Sequence, residues 1–259
     1  MSYEGKTYLV TGGASGLGEA AVRRLASLGS NVAILDRDVE KGQALAKELG
    51  KNAGFFQMDA TSEESIKKAV EDVQKQFGNI WGAVNSAGVG GATLTIDKTS
   101  KPHPTSTWDF VLAVNLNGTF NMCKYVAQIM SQNKPDANGL RGVLINVASV
   151  AALEGQKGQV AYAASKGAVT AMTLPMARDL GVFGIRVLTI CPGIFDTPLM
   201  AMASDPVKVG LATSVITPKR LGRPHEFGLM VSQIIDNTYL NGENIRLDGG
   251  IRMGYSSKI

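Results

Sequence analysis

The sequence predicts one doubly wound α/β domain, in which a seven-stranded, mostly parallel sheet carries helices on both faces. Short runs rich in β-branched residues alternate with longer amphipathic stretches along all 259 residues. Most of the short runs are apolar throughout, which is typical of parallel strands that are covered on both sides. No linker, repeat or low-complexity tract divides the chain. We therefore expect a single domain over residues 1–259.

Seven strands and several helices follow from this pattern. The predicted strands are Thr7–Thr11, Asn31–Asp36, Ala53–Met58, Ile80–Asn85, Gly142–Val147, Ile185–Ile190 and Glu243–Leu247. The predicted helices include Leu17–Leu28, Ser62–Phe77 and Trp108–Met130. Glu64 follows Thr61 by three residues at the start of the second of these helices, which predicts a capping box with Thr61 as the N-cap.

Two segments depart from the alternation of strands and helices. Residues 90–107 are rich in Gly, Thr, Ser, Lys and Pro, which predicts an inserted loop. Residues 193–220 contain Pro198, Pro206 and Pro218 around a Met-rich centre. Because ligands of open α/β sheets bind beyond the carboxyl ends of the strands, the second segment is well placed to form a substrate lid. An ordinary pair of surface helices is the alternative.

Composition excludes several classes of function. The net charge is +4, but basic and acidic residues are interspersed, so no nucleic-acid partner is expected. No apolar stretch is long enough for a membrane span. Cys123 and Cys191 lie in apolar contexts, which indicates buried, reduced thiols. His103 and His225 are far apart and have no Cys or His neighbours, so no metal site is predicted.

A glycine-rich turn follows the first predicted strand and opens a helix. In Thr11-Gly-Gly-Ala-Ser-Gly-Leu-Gly18 the glycines Gly12, Gly16 and Gly18 have GxxxGxG spacing. Such a turn lets the backbone approach a pyrophosphate closely and directs a helix N-terminus at the phosphates. Ser15 adds a hydroxyl donor. The pattern predicts a Rossmann-type dinucleotide site.

Polar residues after the next strands predict the rest of this site. Asp36 ends the second strand, where a carboxylate binds the adenosine ribose hydroxyls and repels a 2′-phosphate, so NAD is favoured over NADP. The adjacent Arg37 could tolerate a phosphate, and Asp36 could instead be a helix cap. Asp59 offers a carboxylate to the adenine edge. Asn85-Ser-Ala-Gly88 brings a glycine-containing turn to the nicotinamide side.

A hydroxyl, a phenol and an ammonium group predict acid–base chemistry at a carbinol oxygen. Tyr162 and Lys166 are four residues apart, so a helix would place them on one face, one turn apart. A nearby cation favours phenolate and lowers the pKa of a tyrosine. Ser149 ends an apolar run upstream of this pair. Together these residues predict the acid–base half of an alcohol dehydrogenase.

The chain resembles the short-chain dehydrogenase/reductase family. The resemblance is carried by TGGASGLG at 11–18, NSAG at 85–88, Asn115, Ser149, YAASK at 162–166 and Pro192-Gly193, which occur in the family's order. It implies that Tyr162 is the general base in oxidation and that Lys166 lowers the pKa of Tyr162 and holds the nicotinamide ribose. It also implies that Ser149 orients the reacting oxygen and that Asn115 anchors a water connecting Lys166 to solvent.

The same resemblance implies a set of residues that contact NAD. They are Gly12, Ser15, Gly16, Leu17, Gly18, Asp36, Asp59, Ala60, Asn85, Ser86, Ala87, Gly88, Tyr162, Lys166, Pro192, Gly193, Phe195 and Thr197. Phe195 and Thr197 would contact the carboxamide of the cofactor. Family members are usually homotetramers, in which the helices that carry Asn115 and Tyr162 pack between subunits.

Further blocks narrow the resemblance within the family. Glu154-Gly-Gln, Met172-Thr-Leu-Pro175, Leu240-Asn-Gly-Glu243 and Ile245-Arg-Leu-Asp248 are similar to the type-2 3-hydroxyacyl-CoA dehydrogenase group. This similarity implies NAD-dependent, reversible oxidation of a short- or medium-chain 3-hydroxyacyl-CoA in fatty acid β-oxidation. The alternatives are a hydroxysteroid or other secondary-alcohol dehydrogenase of the same fold, and a non-enzymatic scaffold role in an RNA-processing complex.

The last three residues bear on location. Ser257-Lys258-Ile259 is close to the Ser-Lys-Leu peroxisomal address. We therefore expect the peroxisomal matrix, with the mitochondrial matrix or the cytoplasm as alternatives.

Overall fold

The computed structural model describes residues 3–201 and 205–254, without the side chains of residues 199, 201 and 205–209. Its strands are β1 (Thr7–Thr11), β2 (Asn31–Asp36), β3 (Ala53–Gln57), β4 (Ile80–Asn85), β5 (Gly142–Val147), β6 (Ile185–Pro192) and β7 (Asn244–Leu247). They form one seven-stranded sheet in the order β3-β2-β1-β4-β5-β6-β7. Every neighbouring pair in this sheet is parallel. The predicted fold class is confirmed.

Helices connect the strands on both sides of the sheet. They are α1 (Gly16–Ser27), α2 (Val39–Leu49), α3 (Glu63–Phe77), α4 (Thr105–Leu112), α5 (Thr119–Met130), α6 (Ala151–Glu154), α7 (Val160–Gly181), α8 (Pro198–Ala201), α9 (Asp205–Ser214) and α10 (Pro224–Asp236). A π-helical turn, Ala113–Gly118, joins α4 to α5. None of the helices described is both long and apolar enough to cross a bilayer.

Two apolar layers hold the helices to the sheet. Successive side chains of a strand point to opposite faces, so Leu9 and Val10 of β1 enter different layers. The layer that contains Val10 buries residues of α1, α2 and α10. The layer that contains Leu9 buries residues of α3, α5 and α7. Burial on both faces of the sheet explains why the strand sequences are apolar throughout.

Several predicted boundaries differ from the structure by one or two residues. β3 ends at Gln57 instead of Met58, although the Met58 amide still donates to the Asp36 carbonyl at 3.0 Å. β6 continues to Pro192, because Pro192 pairs with Leu247 of β7. The N-cap of α3 is Ser62, so the prediction of Thr61 is wrong. Ser62 accepts from the amide of Ser65, whereas the Thr61 hydroxyl donates to Asp59.

The predicted helix Trp108–Met130 is interrupted at its centre. The π-helical turn widens the backbone between α4 and α5, and it buries the side chain of Asn115 completely. Such turns occur within helices, frequently at functional sites. A periodic apolar pattern continues through a turn of this kind, so the interruption was not visible in the sequence.

The sheet order reverses between β1 and β4, and this reversal positions the site. The chain turns outward from β1 toward β2 and β3 on one side, and from β4 toward β7 on the other. In open α/β sheets the crevice for ligands lies at this point. The turn after β1 approaches the turn after β4 so closely that a Cβ on Gly12 would lie 2.9 Å from the Ala87 Cα.

The inserted loop and the lid segment are described in part. Residues 90–107 contain an isolated antiparallel bridge between Ile96 and Pro102 before α4 begins at Thr105. Residues 193–220 contain α8 and α9, and part of this segment lies outside the described residues. Its function as a substrate lid stays a prediction.

Candidate active site

A cavity of about 1190 Å³ lies at the carboxyl ends of the strands. Most of the predicted site residues line it: Gly12, Ser15, Leu17, Gly18, Asp36, Asp59, Ala60, Ser86, Ala87, Gly88, Ser149, Tyr162, Lys166, Pro192, Gly193 and Phe195. Gly16, Asn85, Asn115 and Thr197 do not line it. The structure thus brings the nucleotide motifs and the acid–base residues to one cavity.

The glycine turn forms a cradle that larger residues would fill. Gly12 and Gly16 have left-handed φ angles of +63° and +57°. A Cβ on Gly18 would lie 2.1 Å from the Gly12 carbonyl oxygen, so only glycine fits there. Gly16 faces Thr197, whose Cβ would be 3.7 Å from an added methyl. With Ser15 at the N-cap of α1, these residues fit the pyrophosphate of a dinucleotide.

The carboxylate of Asp36 is fixed by two backbone groups. Its Oδ2 accepts from the amide of Ala14 in the glycine turn, and its Oδ1 accepts from the amide of Asp38, both at 3.0 Å. Each oxygen keeps further lone-pair capacity for a ribose hydroxyl. Arg37 lines the same part of the cavity. Asp36 therefore supports the glycine turn as well as lining the cavity.

Asp59 is held by Thr61 near this end of the cavity. Its Oδ1 accepts from both the amide and the hydroxyl of Thr61, each at 2.8 Å. These hydrogen bonds are the main reason that the pKa of Asp59 is lowered, and the charge of Arg37 adds to the effect. The carboxylate is consequently ionised at neutral pH.

Tyr162 and Lys166 lie one turn apart on α7, as their spacing predicts. The Lys166 ammonium nitrogen is 5.8 Å from the centre of the Tyr162 ring. It donates to the carbonyl oxygen of Val147, at the end of β5, at 2.8 Å. Ser149 follows that strand, and its hydroxyl oxygen accepts from the amide of Ala151 at 3.1 Å. The three side chains line one part of the cavity.

The expected lowering of the Tyr162 pKa is wrong for the protein without cofactor. Burial raises the pKa of Tyr162, because a phenolate is poorly solvated there, and a hydrogen bond from Ser149 opposes this effect only in part. Burial also lowers the pKa of Lys166 to about 8. Desolvation disfavours the charged forms of both groups. Lys166 is still mostly protonated at neutral pH.

Asn115 joins the loop after β4 to the catalytic helix. Its side-chain oxygen accepts from the Val89 amide at 2.8 Å, and its nitrogen donates to the Val89 carbonyl at 3.0 Å and to the Ser165 hydroxyl at 3.1 Å. Ser165 in turn donates to the carbonyl of Tyr162 at 2.7 Å. Sequence reasoning missed Ser165, although it stands within the YAASK motif. Water binding by Asn115 stays a prediction.

Asn85 lies behind the cavity, against expectation. Its side-chain nitrogen donates to Asn146 Oδ1 at 2.8 Å and to Cys123 Sγ at 3.2 Å, and the residue is buried. Burial raises the pKa of the Cys123 thiol to about 12. Cys123 and Cys191 are both buried and free, as predicted. Asn85 thus connects β4, β5 and α5 beneath the cofactor region.

Residues that were not predicted also line the cavity. Phe110, Glu154, Gln159 and Met253 come from three separate parts of the chain. The only signal for any of them was the block Glu154-Gly-Gln, to which no function had been assigned. Met253 gave no signal, because its proximity depends on the tertiary fold.

Comparison with known proteins identifies the family of this fold and site. The family model described as short chain dehydrogenase matches residues 6–207. The chain belongs to this family. It is therefore an oxidoreductase that acts on CH–OH groups, and the family generally uses NAD or NADP. The resemblance seen in the motifs is confirmed.

Relatives of this chain share nearly their whole length with it. It is 49% identical over 253 residues to 3-hydroxyacyl-CoA dehydrogenase type-2 of Bos taurus, covering 97% of both chains. It is 46% identical over 246 residues to the protein of that name in Drosophila melanogaster, covering 95% of this chain and 96% of the relative. The crystal structure of 3-hydroxyacyl-CoA dehydrogenase type-2 from Mycobacterium avium superposes with a TM-score of 0.93 at 42% identity. The match covers 97% of this chain and 98% of that structure's chain.

Proposed function

We propose that the protein oxidises the hydroxyl of a short- or medium-chain 3-hydroxyacyl-CoA to the 3-oxoacyl-CoA, reversibly and with NAD, as in fatty acid β-oxidation. The observation that carries the proposal is the 49% identity over 97% of both chains to a relative named for this substrate class. The convergence of Ser149, Tyr162 and Lys166 on a cavity with a glycine turn supports the reaction type.

The acid–base steps follow from the positions of three side chains. Bound NAD supplies the hydride acceptor. Tyr162 removes the hydroxyl proton of the substrate in oxidation and returns it in reduction. Ser149 holds the reacting oxygen: its own oxygen accepts from the Ala151 amide, and its hydrogen, which otherwise bonds to Tyr162, donates to the oxygen of the substrate. Lys166, mostly protonated at neutral pH, favours the phenolate when the proton leaves.

The preference for NAD over NADP rests on Asp36. The two backbone amides that hold its carboxylate keep a negative charge at the end of β2. This charge attracts ribose hydroxyls as hydrogen-bond donors and repels a 2′-phosphate. Arg37 lines the cavity beside it but is exposed to solvent, which weakens its attraction for a phosphate. We therefore propose NAD as the working cofactor.

Basic residues near the inserted loop support a CoA substrate. A second hollow of about 650 Å³ lies between that loop and the segment before α7. Lys98 and Lys157 line it, together with Gln159, which also lines the main cavity. The shared residue makes the two spaces adjacent. The phosphates of CoA would find cations in the smaller one while the acyl group occupies the larger.

A substrate panel tests the proposal. Initial rates of reduction by NADH are measured for acetoacetyl-CoA, a 3-oxosteroid and a simple ketone. Rates of oxidation of the corresponding alcohols are then compared with NAD and with NADP. We expect the acyl-CoA to be preferred in kcat/KM and NAD to be preferred over NADP. Turnover of acetoacetyl-CoA no faster than that of the simple ketone would refute the substrate. Preference for the steroid would select the hydroxysteroid alternative.

We further propose a homotetramer in which α5 and α7 pack against their copies. A hollow of about 420 Å³ runs between the two helices and contains Phe120, Met172 and Phe183. Phe120, Leu174 and Phe183 are 47%, 45% and 43% exposed in the single chain, which is unfavourable for side chains of this size. Light scattering of the purified protein measures the assembly, and a monomer at micromolar concentration would contradict the proposal.

The location is proposed from the tripeptide Ser257-Lys258-Ile259, which lies outside the described residues. We propose the peroxisomal matrix. A fluorescent fusion at the N-terminus, with and without the tripeptide, tests this. Punctate fluorescence that depends on the tripeptide is expected, and mitochondrial or diffuse cytoplasmic fluorescence would select an alternative.

A further inference from the structure

The cavity has a substrate side, formed by elements next to the reacting groups. α6 follows Ser149 directly and ends at Glu154, and Gln159 precedes α7, which carries Tyr162. Glu154 and Gln159 line the cavity, and Met253 lines it from a separate part of the chain. A carboxylate beside an acid–base pair needs an explanation, because it would otherwise disfavour an anionic acyl-CoA.

The partners of Glu154 lie almost one hundred residues later in the chain. Its Oε2 accepts from the backbone amide of Met253 at 2.8 Å, and its Oε1 accepts from the Arg246 guanidinium at 2.8 Å. Arg252 adds a longer ionic contact of 3.6 Å. The Glu154 and Arg246 side chains are each 21% exposed. The charge of the carboxylate is thus neutralised by the protein.

Arg246 uses its remaining donors to fold the following residues into a turn. It donates to Asp248 Oδ2 at 2.7 Å and to the carbonyl of Ile251 at 2.8 Å. Asp248 accepts from the amide of Gly250 at 2.9 Å, and Ile251 is fully buried. We call residues 248–253 the 248–253 turn. Its backbone is held by the same guanidinium that binds Glu154.

The 248–253 turn also contacts both ends of the predicted lid segment. A Cβ on Gly193 would lie 2.7 Å from the Cβ of Asp248, so the turn packs directly on the residue after β6. Beyond α9, the Thr217 amide donates to the carbonyl of Gly249 at 3.2 Å. The turn therefore lies between α6, the start of the lid segment and its end.

We infer that Glu154 is a positioning residue, which anchors the 248–253 turn so that Met253 closes the substrate side of the cavity and limits acyl-chain length. This inference rests on the proposed function, because it takes the substrate to be an acyl-CoA. Without the carboxylate, the Met253 amide and the Arg246 guanidinium both lose a charge-assisted hydrogen bond. The turn then keeps its contacts through Asp248, Gly249 and Ile251, but Met253 loses the hydrogen bond that fixes its position.

Kinetics across acyl-chain length test the inference. Glu154→Ala is expected to shift the ratio of kcat/KM between long and short 3-hydroxyacyl-CoA chains toward long chains by up to about tenfold, with little change in NADH affinity. Glu154→Gln is expected to cause a smaller change than Glu154→Ala, because an amide oxygen still accepts from the Met253 amide. Met253→Ala leaves the ion pairs intact and is expected to shift the ratio of kcat/KM between long and short chains about tenfold toward long chains. Glu48→Ala, which removes an exposed partner of Arg23, is the matched control.

Hydrogen exchange provides a readout that is independent of substrate. Glu154→Ala is expected to speed amide exchange in the peptide that contains the 248–253 turn about tenfold, and Glu48→Ala is expected to leave it unchanged. Unchanged exchange in Glu154→Ala, or an unaltered chain-length profile in Met253→Ala, overturns the inference. If exchange is faster in Glu154→Ala but the parent protein turns over no acyl-CoA, the proposed substrate is refuted. The anchoring of the turn by Glu154 is then still supported.

Discussion

The ammonium group of Lys166 donates to the carbonyl oxygen of Val147 at 2.8 Å, which ties the catalytic helix α7 to the carboxyl end of β5. Lys166 is buried, and this bond gives its charge a polar partner inside the protein. The same strand leads into Ser149. One interaction therefore fixes the distance between the two segments that supply the acid–base residues.

Replacing the phenol should separate proton transfer from binding. Tyr162→Phe removes only the group that accepts the substrate proton, so we expect kcat to fall by at least about 100-fold. NADH affinity, measured by fluorescence titration, should change by less than about threefold because the ring remains. Turnover close to that of the parent protein would show that Tyr162 is not the acid–base group.

Burial of Lys166 should make stability depend on pH. Its folded pKa of about 8 lies below the value near 10.5 of an exposed lysine. Between these values the unfolded state binds more protons, so stability rises with pH through this window. The cost of the buried charge is fully present below pH 8, and about 2 kcal/mol of it should be relieved by pH 10.

Lys166→Met measures this contribution directly. The unfolding free energies of the cofactor-free parent and variant are compared by denaturant titration at several pH values from about 7 to 10. This range includes the folded pKa of about 8. We expect the parent to gain stability relative to the variant as the pH rises. Parallel curves for the two proteins would contradict a lowered pKa of Lys166.

Asp36 should influence both cofactor choice and the glycine turn. In Asp36→Ser the charge that repels a 2′-phosphate is lost, and so is the carboxylate oxygen that accepts from the Ala14 amide. We expect kcat/KM with NAD to fall at least about tenfold and the preference over NADP to shrink by a similar factor. Asp38→Asn is the control, since it changes the next acid but keeps an acceptor at the α2 N-cap. Equal changes in both variants would refute the specific role.

Arg186 should stabilise the fold without taking part in the reaction. Its buried guanidinium donates to the carbonyls of Ile234, Ile235, Asn237 and Leu240, which closes the C-terminal end of α10. Arg186→Met removes this donor from the carbonyls of Ile234, Ile235 and Leu240, whereas the Asn237 carbonyl still accepts from the Leu240 amide. We expect a loss of about 3 kcal/mol in unfolding free energy. The exposed Arg23→Met should cost less than about 1 kcal/mol. Comparable losses would contradict the argument from burial.

The sequence predicted those parts of the fold that depend on local pattern. Apolar runs such as Gly142–Val147 located the strands to within two residues, because two-sided burial leaves a continuous signal. The glycine turn and the Tyr162–Lys166 pair were also recognised from local pattern, because their chemistry depends on short spacings in the sequence. The N-cap of α3 was missed by one residue, because Thr61 and Ser62 are both good caps.

Features that depend on the tertiary fold were beyond the sequence. Asn115 was recognised, but the π-helical turn that buries it was not. Asn85 belongs to a motif at the cofactor site, yet its side chain turns toward Asn146 behind the cavity. The sign of the Tyr162 pKa shift depends on how much water the fold excludes, which residue spacing cannot give.

The close approach of Gly12 to Ala87 changes how substitutions at the glycine turn should be interpreted. Even a single methyl group at position 12 would lie 2.9 Å from the Ala87 Cα, so two loops would have to separate to admit it. An inactive alanine variant at that position would report a widened crevice. It would not measure the contribution of one backbone contact to nucleotide affinity.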